Sequence, residues 1–468
     1  MLGGGWRRTA SPRRGLGDGA VAAAALATAA GALLSVPTPW PGAAIAAGTV
    51  VLVAARRGWV APLVAGCFVL SCALAAHAWA GTAPVRAGPF TGVVTLRTDP
   101  SPLGAGVVAD AVAGRHHLEL RAFGGTARRL RLRLAGEQLA VEGRVVPPSG
   151  SVAGWLRSRH IVGVLQPTRL ELVGDGTTLA HSANRVRQLL ERGARTMDPV
   201  DRSLYLGFVI GDDRGQPPAT IEAFRASGLA HLSAVSGENV ALLLAVASPV
   251  LRRARAPTRW AATLSLIGWF ALLTRFEPSV LRASVMAALA ATAVVAGRPS
   301  RPVRVLGLTV TIVLLADPLL VHSVGWWLSV GATAGIVALA GPVAARLPGP
   351  APVRLPLAVT MAAQLGVAPV TIAVFGPLPL ASVPANLLAV PAAAPIMLYG
   401  LPAGLVAGAC PDPVARLLQL PTVVLVRFVA RVASAAAGWP LPHVGWPGLV
   451  AAMAVAVLVL RRPPRHWR

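Results

Sequence analysis

The sequence predicts a polytopic α-helical membrane protein of about 12 transmembrane helices with an inserted small extracellular OB-like β domain. Three observations lead there. The chain has 468 residues, 54% of them hydrophobic and only 13% charged, whereas a soluble domain carries roughly 25% charged residues. Many apolar runs reach the ~20 residues that a membrane-spanning helix needs. Residues 84–175 depart from this pattern with short alternating segments, the period of half-buried strands.

The N-terminal membrane segment, residues 1–83, holds three apolar runs. Arg7, Arg8, Arg13 and Arg14 precede the first, residues 20–36, which has the layout of a signal peptide. Two more runs, 42–55 and 59–80, follow closely, so a retained first helix is expected. Arg56 and Arg57 separate the second run from the third. The positive-inside rule puts the N-terminus and this pair in the cytoplasm. Three crossings then leave Gly81 outside.

In residues 84–175 the segments FTGVVTLRTD, VVADAVA, HHLELRAF, RRLRLRL, EQLAVEGRVV and HIVGVLQPTRLELV alternate and are broken by Gly, Pro and Asp. Five or six short antiparallel strands suit an OB-like barrel. This domain has 12 Arg against 7 Asp plus Glu, a basic excess of five. RRLRLRL places Arg129, Arg131 and Arg133 on one face of a strand, with Arg128 beside them. A solvated strand face is one reading; a stripe that contacts phosphates is the other. The nine histidines show no metal-ligand spacing. His116 and His117 are adjacent, but neighbours on a strand point to opposite faces.

Residues 176–227 form a connector. Its first part, 180–197, is an amphipathic helix with Arg185, Arg187, Arg192 and Arg195, suited to the membrane surface. SLYLGFVIGDDRG follows, an apolar run too short to cross. Residues 228–462 then hold nine apolar runs: 228–251, 259–275, 278–297, 303–321, 324–345, 355–375, 380–408, 414–437 and 444–460. Arginines follow alternate runs: Arg252, Arg253 and Arg255; Arg298, Arg301 and Arg304; Arg346 and Arg354; Arg416; then Arg461, Arg462 and Arg465. With the β domain outside, each cluster falls in the cytoplasm, as do both termini. Arg427 and Arg431, inside the eighth run, require a helix that is partly interfacial or faces the bundle.

The net charge is +25, and all 43 basic residues are Arg. A phosphate-cradling P-loop needs its Lys, and so does Schiff-base chemistry. The chain is therefore not expected to be its own ATP motor, and no cofactor is expected. Cys67, Cys72 and Cys410 read as buried thiols rather than a disulfide framework or metal knuckle.

The most informative segment is FRASGLAHLSAVSGENVALLL, from Phe224 to Leu244. It sets His231, Ser233, Ser236, Glu238 and Asn239 into apolar sequence. Ionisable groups at membrane depth are costly and face a cavity or a partner. On a continuous helix His231 shares a face with Ser227, Val235 and Glu238, while Ser236 lies about 140° away. A Ser236–His231 nucleophile pair therefore needs a helix break at Gly237. A polar seam along a pathway fits better, with mutual satisfaction inside the bundle as the structural alternative. Arg282 either snorkels to the surface, pairs with Glu277, or faces a polar path. Gln364 and Asn386 are lone amides suited to interhelical hydrogen bonds. Prolines 369, 377, 379, 384, 391 and 395 imply broken helices, which are tolerated where backbone lines a cavity. Asp212 and Asp213 suit a turn or helix cap better than a metal site.

GDDRGQPPATIEAFRASGLAHLSAVSGENVALLL resembles the hallmark of the ComEC family of competence proteins, inner-membrane channels of bacterial natural transformation. The family pattern is a G-D-R element followed by F-x-x-[ST]-G-x-x-H-[LI]-x-A-[VI]-S-G-x-[HN]-[VL]. It falls here on Gly211, Asp212, Arg214, Phe224, Ser227, Gly228, His231, Leu232, Ala234, Val235, Ser236, Gly237, Asn239 and Val240. Similarity continues through PSVLRASVMAAL around Arg282, DPLLVHSVGWWLSVGATAG, and AQLGVAPVTIAVFGPLPLASVPANLLAVPAAAP. Three helices and a small β domain ahead of the motif match the family's layout. Many members read S-G-L-H-[VI] where this chain has Ser236-Gly237-Glu238-Asn239-Val240. Glu238 thus adds a negative charge beside an implied anionic path. The chain carries no HxHxDH element, so the form expected is one lacking the metallo-β-lactamase-like nuclease domain of longer members.

The resemblance implies uptake of single-stranded DNA into the cytoplasm across the bacterial inner membrane. His231, Ser236, Gly237, Glu238, Asn239, Arg282, Gln364 and Asn386 are the candidates for the path. Arg128, Arg129, Arg131 and Arg133 are the candidates for catching DNA outside, and Asp212 and Arg214 belong to the motif. Arginine suits phosphate through its planar fork. An anion entering a negative interior costs about 2.3 kcal/mol per charge per 100 mV. Expected partners are therefore membrane lipid, a separate DNA receptor, a nuclease, and a cytoplasmic motor or strand-binding protein; a homo-oligomer stays open. The alternatives are a transporter of another anionic or lipid-linked substrate, and an intramembrane hydrolase using His231, Glu238 and Ser236.

Overall fold

The computed structural model describes residues 16–35, 40–233, 236–298 and 300–461. Arg7, Arg8, Arg13, Arg14, Arg462 and Arg465 lie outside the described residues, as do Ala234 and Val235 of the motif. The first three helices are α1 (Asp18–Leu34), α2 (Trp40–Arg57) and α3 (Val60–Gly81). The β domain follows: β1 (Gly88–Leu96), β2 (Ser101–Leu103), β3 (Gly106–Ala113), β4 (His116–Ala122), α4 (Gly124–Arg131), β5 (Gln138–Val146), α5 (Ala153–Ser158) and β6 (Ile161–Gly174). Three connecting helices come next, α6 (Thr178–Gly193), α7 (Pro199–Ile210) and α8 (Pro218–Ala226). The rest of the bundle is α9 (Gly237–Leu251), α10 (Ala256–Leu273), α11 (Pro278–Val295), α12 (Pro302–Ala316), α13 (Val324–Ala344), α14 (Ala351–Phe375), α15 (Ser382–Ala409), α16 (Asp412–Ala437) and α17 (Trp446–Arg461). A 3-10 turn, Pro318–His322, joins α12 to α13. Two short strands, β7 (Leu378–Pro379) and β8 (His443–Val444), pair antiparallel.

A helix covers each of the twelve apolar runs, but six are long and apolar enough to cross a bilayer among the described residues: α3, α11, α13, α14, α15 and α16. The chain is a membrane protein. Run 228–251 departs from its expected form, because helix begins only at Gly237 and α9 has 15 residues. The main core joins the connector to the bundle, through Tyr205, Phe208, Phe224, Phe270, Ile396 and Val426. Lipid tails are as apolar as these side chains, so helices associate by close packing at small residues. α13 and α14 do this at Gly331, Gly335 and Gly366; a Cβ added to Gly331 would lie 2.6 Å from the Gly366 carbonyl oxygen.

The prolines do not break their helices as expected. α14 runs through Pro356 and Pro369, and α15 runs through Pro391, Pro395 and Pro402. Each proline removes one backbone bond, and neighbouring helices or local adjustments compensate inside a bundle. Pro384 sits in the first turn of α15, where no backbone donor is needed. The break falls between Phe375 and Ser382, around Pro377 and Pro379.

In the β domain, β1 pairs with β5, β5 with β6, β6 with β4, β4 with β3, and β3 returns to β1. Five strands thus form a circuit, with β2 appended to β3. β4 and β6 are parallel; the other pairs are antiparallel. The interior is filled by Val94, Leu96, Leu120, Leu139, Val141 and Leu165. RRLRLRL is not a strand. It lies in and after α4, which buries Ala127 and Leu130 and turns Arg128, Arg129 and Arg131 outward. Leu132, which a strand would have aligned with Leu130, is 74% exposed. Arg133 lies beyond the helix, half-buried, with its guanidinium 3.8 Å from Glu137.

α6 is not merely laid on a membrane surface. It packs on α15, where Gly193 meets the backbone at Gly404 and Gly408. Arg187 points inward and is buried, 4% exposed. Arg427 of α16 faces α7, donating to Asp201 at 2.7 Å and to Asp198. Its carboxylate partners account for its place in an apolar run.

Candidate functional site

The motif is a helix break rather than a continuous helix. α8 ends at Ala226, and Gly228 takes φ +71°. That left-handed conformation suits glycine. It also brings the backbone against α15, because a Cβ at Gly228 would collide with the Ser382 side chain. Leu229 N then donates to Phe224 O at 2.8 Å, closing the turn. The chain re-enters helix at Ser236, whose Oγ accepts from Glu238 N at 3.2 Å. A serine in this position satisfies one of the orphan donors of a helix start. Asn239, buried, donates to Phe208 O at 2.9 Å, and Gln216 donates to Ser233 O at 3.2 Å. The loop is thus tied to α7 at Phe208 and to the α7–α8 connection at Gln216.

The break gathers the polar residues. His231, Ser236, Glu238 and Asn239 line one cavity with Phe208 and, from α15, Ala393 and Ala394. His231 and Glu238 are exposed, while Leu232, Asn239 and Val240 beside them are buried. The cavity is about 20 Å3, room for one water molecule. The continuous-helix face expected to join Ser227, His231 and Glu238 does not form: Ser227 is fully buried and donates to Phe224 O at 3.1 Å. The break that a Ser236–His231 pair requires is present. Ser236 Oγ, however, is committed to capping α9 and to Asn239 Oδ1 at 3.4 Å.

Arg282 lies behind this start of α9. It is 8% exposed, and Nε donates to Ser329 Oγ of α13 at 2.7 Å. Nη1 approaches Met286 Sδ at 3.1 Å. Among the described residues no carboxylate pairs with it, so Glu277 is not its partner. Its guanidinium abuts Gly237, where an added Cβ would sit 2.6 Å from Nη2. Asn386 is buried and donates to Ser382 O of its own helix at 2.7 Å. Gln364 is half-buried on α14. Neither amide lines the cavity.

A second cluster joins the β domain to the bundle. Arg187 donates to Asp99 at 2.7 Å, to Asp212 at 3.1 Å, and to the carbonyls of Ile210 and Leu273 at 3.2 and 3.0 Å. Arg275 donates to both oxygens of Asp99 at 2.9 and 3.1 Å and to Asn184 at 2.7 Å. Arg214 closes the network on Asp212 at 2.5 and 2.7 Å. The Asp212 and Arg214 of the motif are therefore structural ties. Burial pushes the Asp99 carboxyl up, but Arg187 and Arg275 outweigh it and hold Asp99 far below the ordinary range. Sequence reasoning missed Arg187, Asp99 and Arg275. The available signal was the rarity of acids here: 18 in the whole chain, each then in need of an account.

A family model described as "Competence protein" matches residues 208–462. The chain is 27% identical over 276 residues to the Uncharacterized protein YcaI of Escherichia coli (strain K12), a match covering 55% of this chain and 36% of that protein. The chain thus spans about a third of that relative's length. No solved structure matches. The family match takes in the break, the cavity and every helix from α9 onward, so the chain belongs to the Competence family of ComEC-like proteins.

Proposed function

We propose that this protein is a channel through which single-stranded DNA enters the cytoplasm during natural transformation. The observation that carries the reading is the break before α9. Inside a matched competence region it gathers His231, Ser236, Glu238 and Asn239 around one cavity against α15. At about 20 Å3 the cavity admits no nucleotide. A strand passes when α9 and α15 part, and the resting channel is closed.

Charge and contacts support a placement in the inner membrane. Arg304 pairs with Asp18 at 3.0 Å, so α12 and α1 begin on the same side. The β domain sits at the other ends, against Thr82, Asp317 and Arg275. With the arginine clusters cytoplasmic, the β domain is extracellular and both termini lie inside, across twelve helices. The five-strand circuit supports an OB-like barrel. Arg128, Arg129 and Arg131 on its exposed helix are suited to phosphates of a single strand. A DNA receptor, a nuclease and a cytoplasmic motor or strand-binding protein act with it, and the channel works alone or as a homo-oligomer.

A transporter of another anionic or lipid-linked substrate is the second reading, since the cavity polarity alone suits any anion. The hydrolase reading is weakened by the commitments of Ser236 Oγ. The test is DNase-resistant uptake of labelled DNA in the host lacking this gene. Uptake is expected to vanish, to return with the wild-type gene, and to stay low with His231→Ala or Asn239→Ala at equal membrane level. Normal import by the deletion strain would overturn the proposal.

A further inference from the structure

We infer that α5 is a membrane-interface anchor, with Trp155 seated among phospholipid headgroups at the rim of α3. α3 is one of the helices long enough to cross a bilayer, and it ends at Gly81. Its last turn holds Trp79, and Thr82 follows. Arg157 of α5 is bound to this end: Nε donates to Thr82 O at 3.2 Å and lies 3.3 Å from Thr82 Oγ1. The Arg157 guanidinium also covers the Trp79 ring at 5.4 Å, and His322 meets that ring edge-on at 5.3 Å. α5 is therefore fixed where an apolar helix leaves the membrane.

The two sides of α5 differ. Leu156 is fully buried and packs with Ile161 and Val164 of the β domain. Trp155 is 55% exposed, and Val152, three residues earlier, is also exposed. Arg159 covers one ring face of Trp155 at 4.4 Å and is itself anchored on Asp110 at 2.5 Å. The indole is thus held outward by a supported guanidinium rather than left loose. A tryptophan with one apolar face and a polar N–H belongs at the headgroup level. The phosphates there suit the two flanking arginines. Continuity with the end of α3 is what selects lipid as the occupant. The inference rests on the membrane reading alone and is independent of DNA uptake.

The experiment places a nitroxide label on the full chain in nanodiscs of equal parts phosphatidylcholine and phosphatidylglycerol. Cys410→Ser is the background, and Trp155→Cys, Val152→Cys and Leu132→Cys are labelled in turn. Leu132, 74% exposed just after α4 in the β domain, is the aqueous reference. Collision with a water-soluble nickel chelate is expected to be several-fold lower at 155 and 152 than at 132, with oxygen collision correspondingly higher. Equal nickel accessibility at all three positions would overturn the anchor. So would a label at 155 that is aqueous until a single-stranded oligonucleotide shields it, which would assign the tryptophan to base stacking.

Discussion

Arg187 of α6 and Asp99 of the β1–β2 loop meet at 2.7 Å with both side chains buried. This bond sits at the centre of the network that holds the β domain on the bundle. Breaking a buried pair from one side leaves an uncompensated charge and costs about 3–5 kcal/mol. Arg187→Gln is expected to lower the thermal midpoint of the detergent-solubilised protein and to expose the β domain to protease first. Arg225→Gln breaks a pair with the exposed Glu222 and is expected to cost under about 1 kcal/mol. Thermal unfolding of the two variants side by side checks the contrast.

The network sets a pH dependence. Asp99 and Asp212 are both pushed up by burial and pulled down further by their arginines, so both are lowered overall. A carboxyl lowered in the folded state stabilises above its unfolded value of about 3.9 and loses that contribution as pH falls through the folded value. Asp213 runs the other way, because burial and the neighbouring Asp212 charge raise it. Its ionisation costs stability as pH rises through the raised value. The stability gap between wild type and Asp99→Asn is therefore expected to be the same at about pH 8 and about pH 5 and to close only below about pH 4. Thermal midpoints across that range measure it. A gap already gone near pH 6 would mean that Asp99 is not held ionised.

Two glycines of the motif are expected to differ sharply. Gly228→Ala meets a φ of +71° and the Ser382 side chain together. Strain in the left-handed region alone costs of order 1–3 kcal/mol. At Gly237 no positive φ is required, and an added Cβ would sit 2.6 Å from the bonded Arg282 guanidinium and 3.0 Å from Ala283 Cβ. Gly228→Ala is expected to cut folded membrane yield and DNA uptake heavily, and Gly237→Ala, which carries no backbone strain, to lower yield less. Fluorescence size-exclusion chromatography and the uptake assay report the two effects.

The outer arginines make a salt-dependent prediction. Each phosphate contact on a single strand adds about −0.7 to the slope of log K against log salt. Arg128, Arg129 and Arg131 are exposed on α4, whereas Arg133 is half-buried beside Glu137. Replacing the first three by Gln in the solubilised full chain is expected to weaken oligonucleotide binding and flatten the slope by about two. Arg133→Gln is expected to leave the slope unchanged.

Much of this arrangement was legible in local sequence, and the misreadings have physical causes. Strands β1 and β3–β6 follow segments whose alternation matches the pleat. The R-L-R-L alternation at α4 imitates a strand, while the domain buries Ala127 and Leu130 at helical spacing. The start of α9 had a local signal in Ser236, a capping residue followed by Gly, Glu and Asn. The His231 face failed because periodicity does not register a turn that needs Gly228 in the left-handed region. Arg187 reads as a surface residue because its partner Asp99 lies 88 positions away. Long-range ion pairs leave no periodic trace. The prolines of α15 misled for a related reason, since the bundle that supports the helix is invisible to the segment itself.

The central claim is that DNA passes between α9 and α15 beside His231. The most direct measurement inserts a photo-crosslinking amino acid at Ala393, on the cavity wall, and irradiates cells during uptake of labelled DNA. Leu417, 71% exposed on α16, is the outer-surface control. The account predicts covalent attachment of the incoming strand at position 393 and none at 417. Active uptake with no more crosslinking at 393 than at 417 would contradict it.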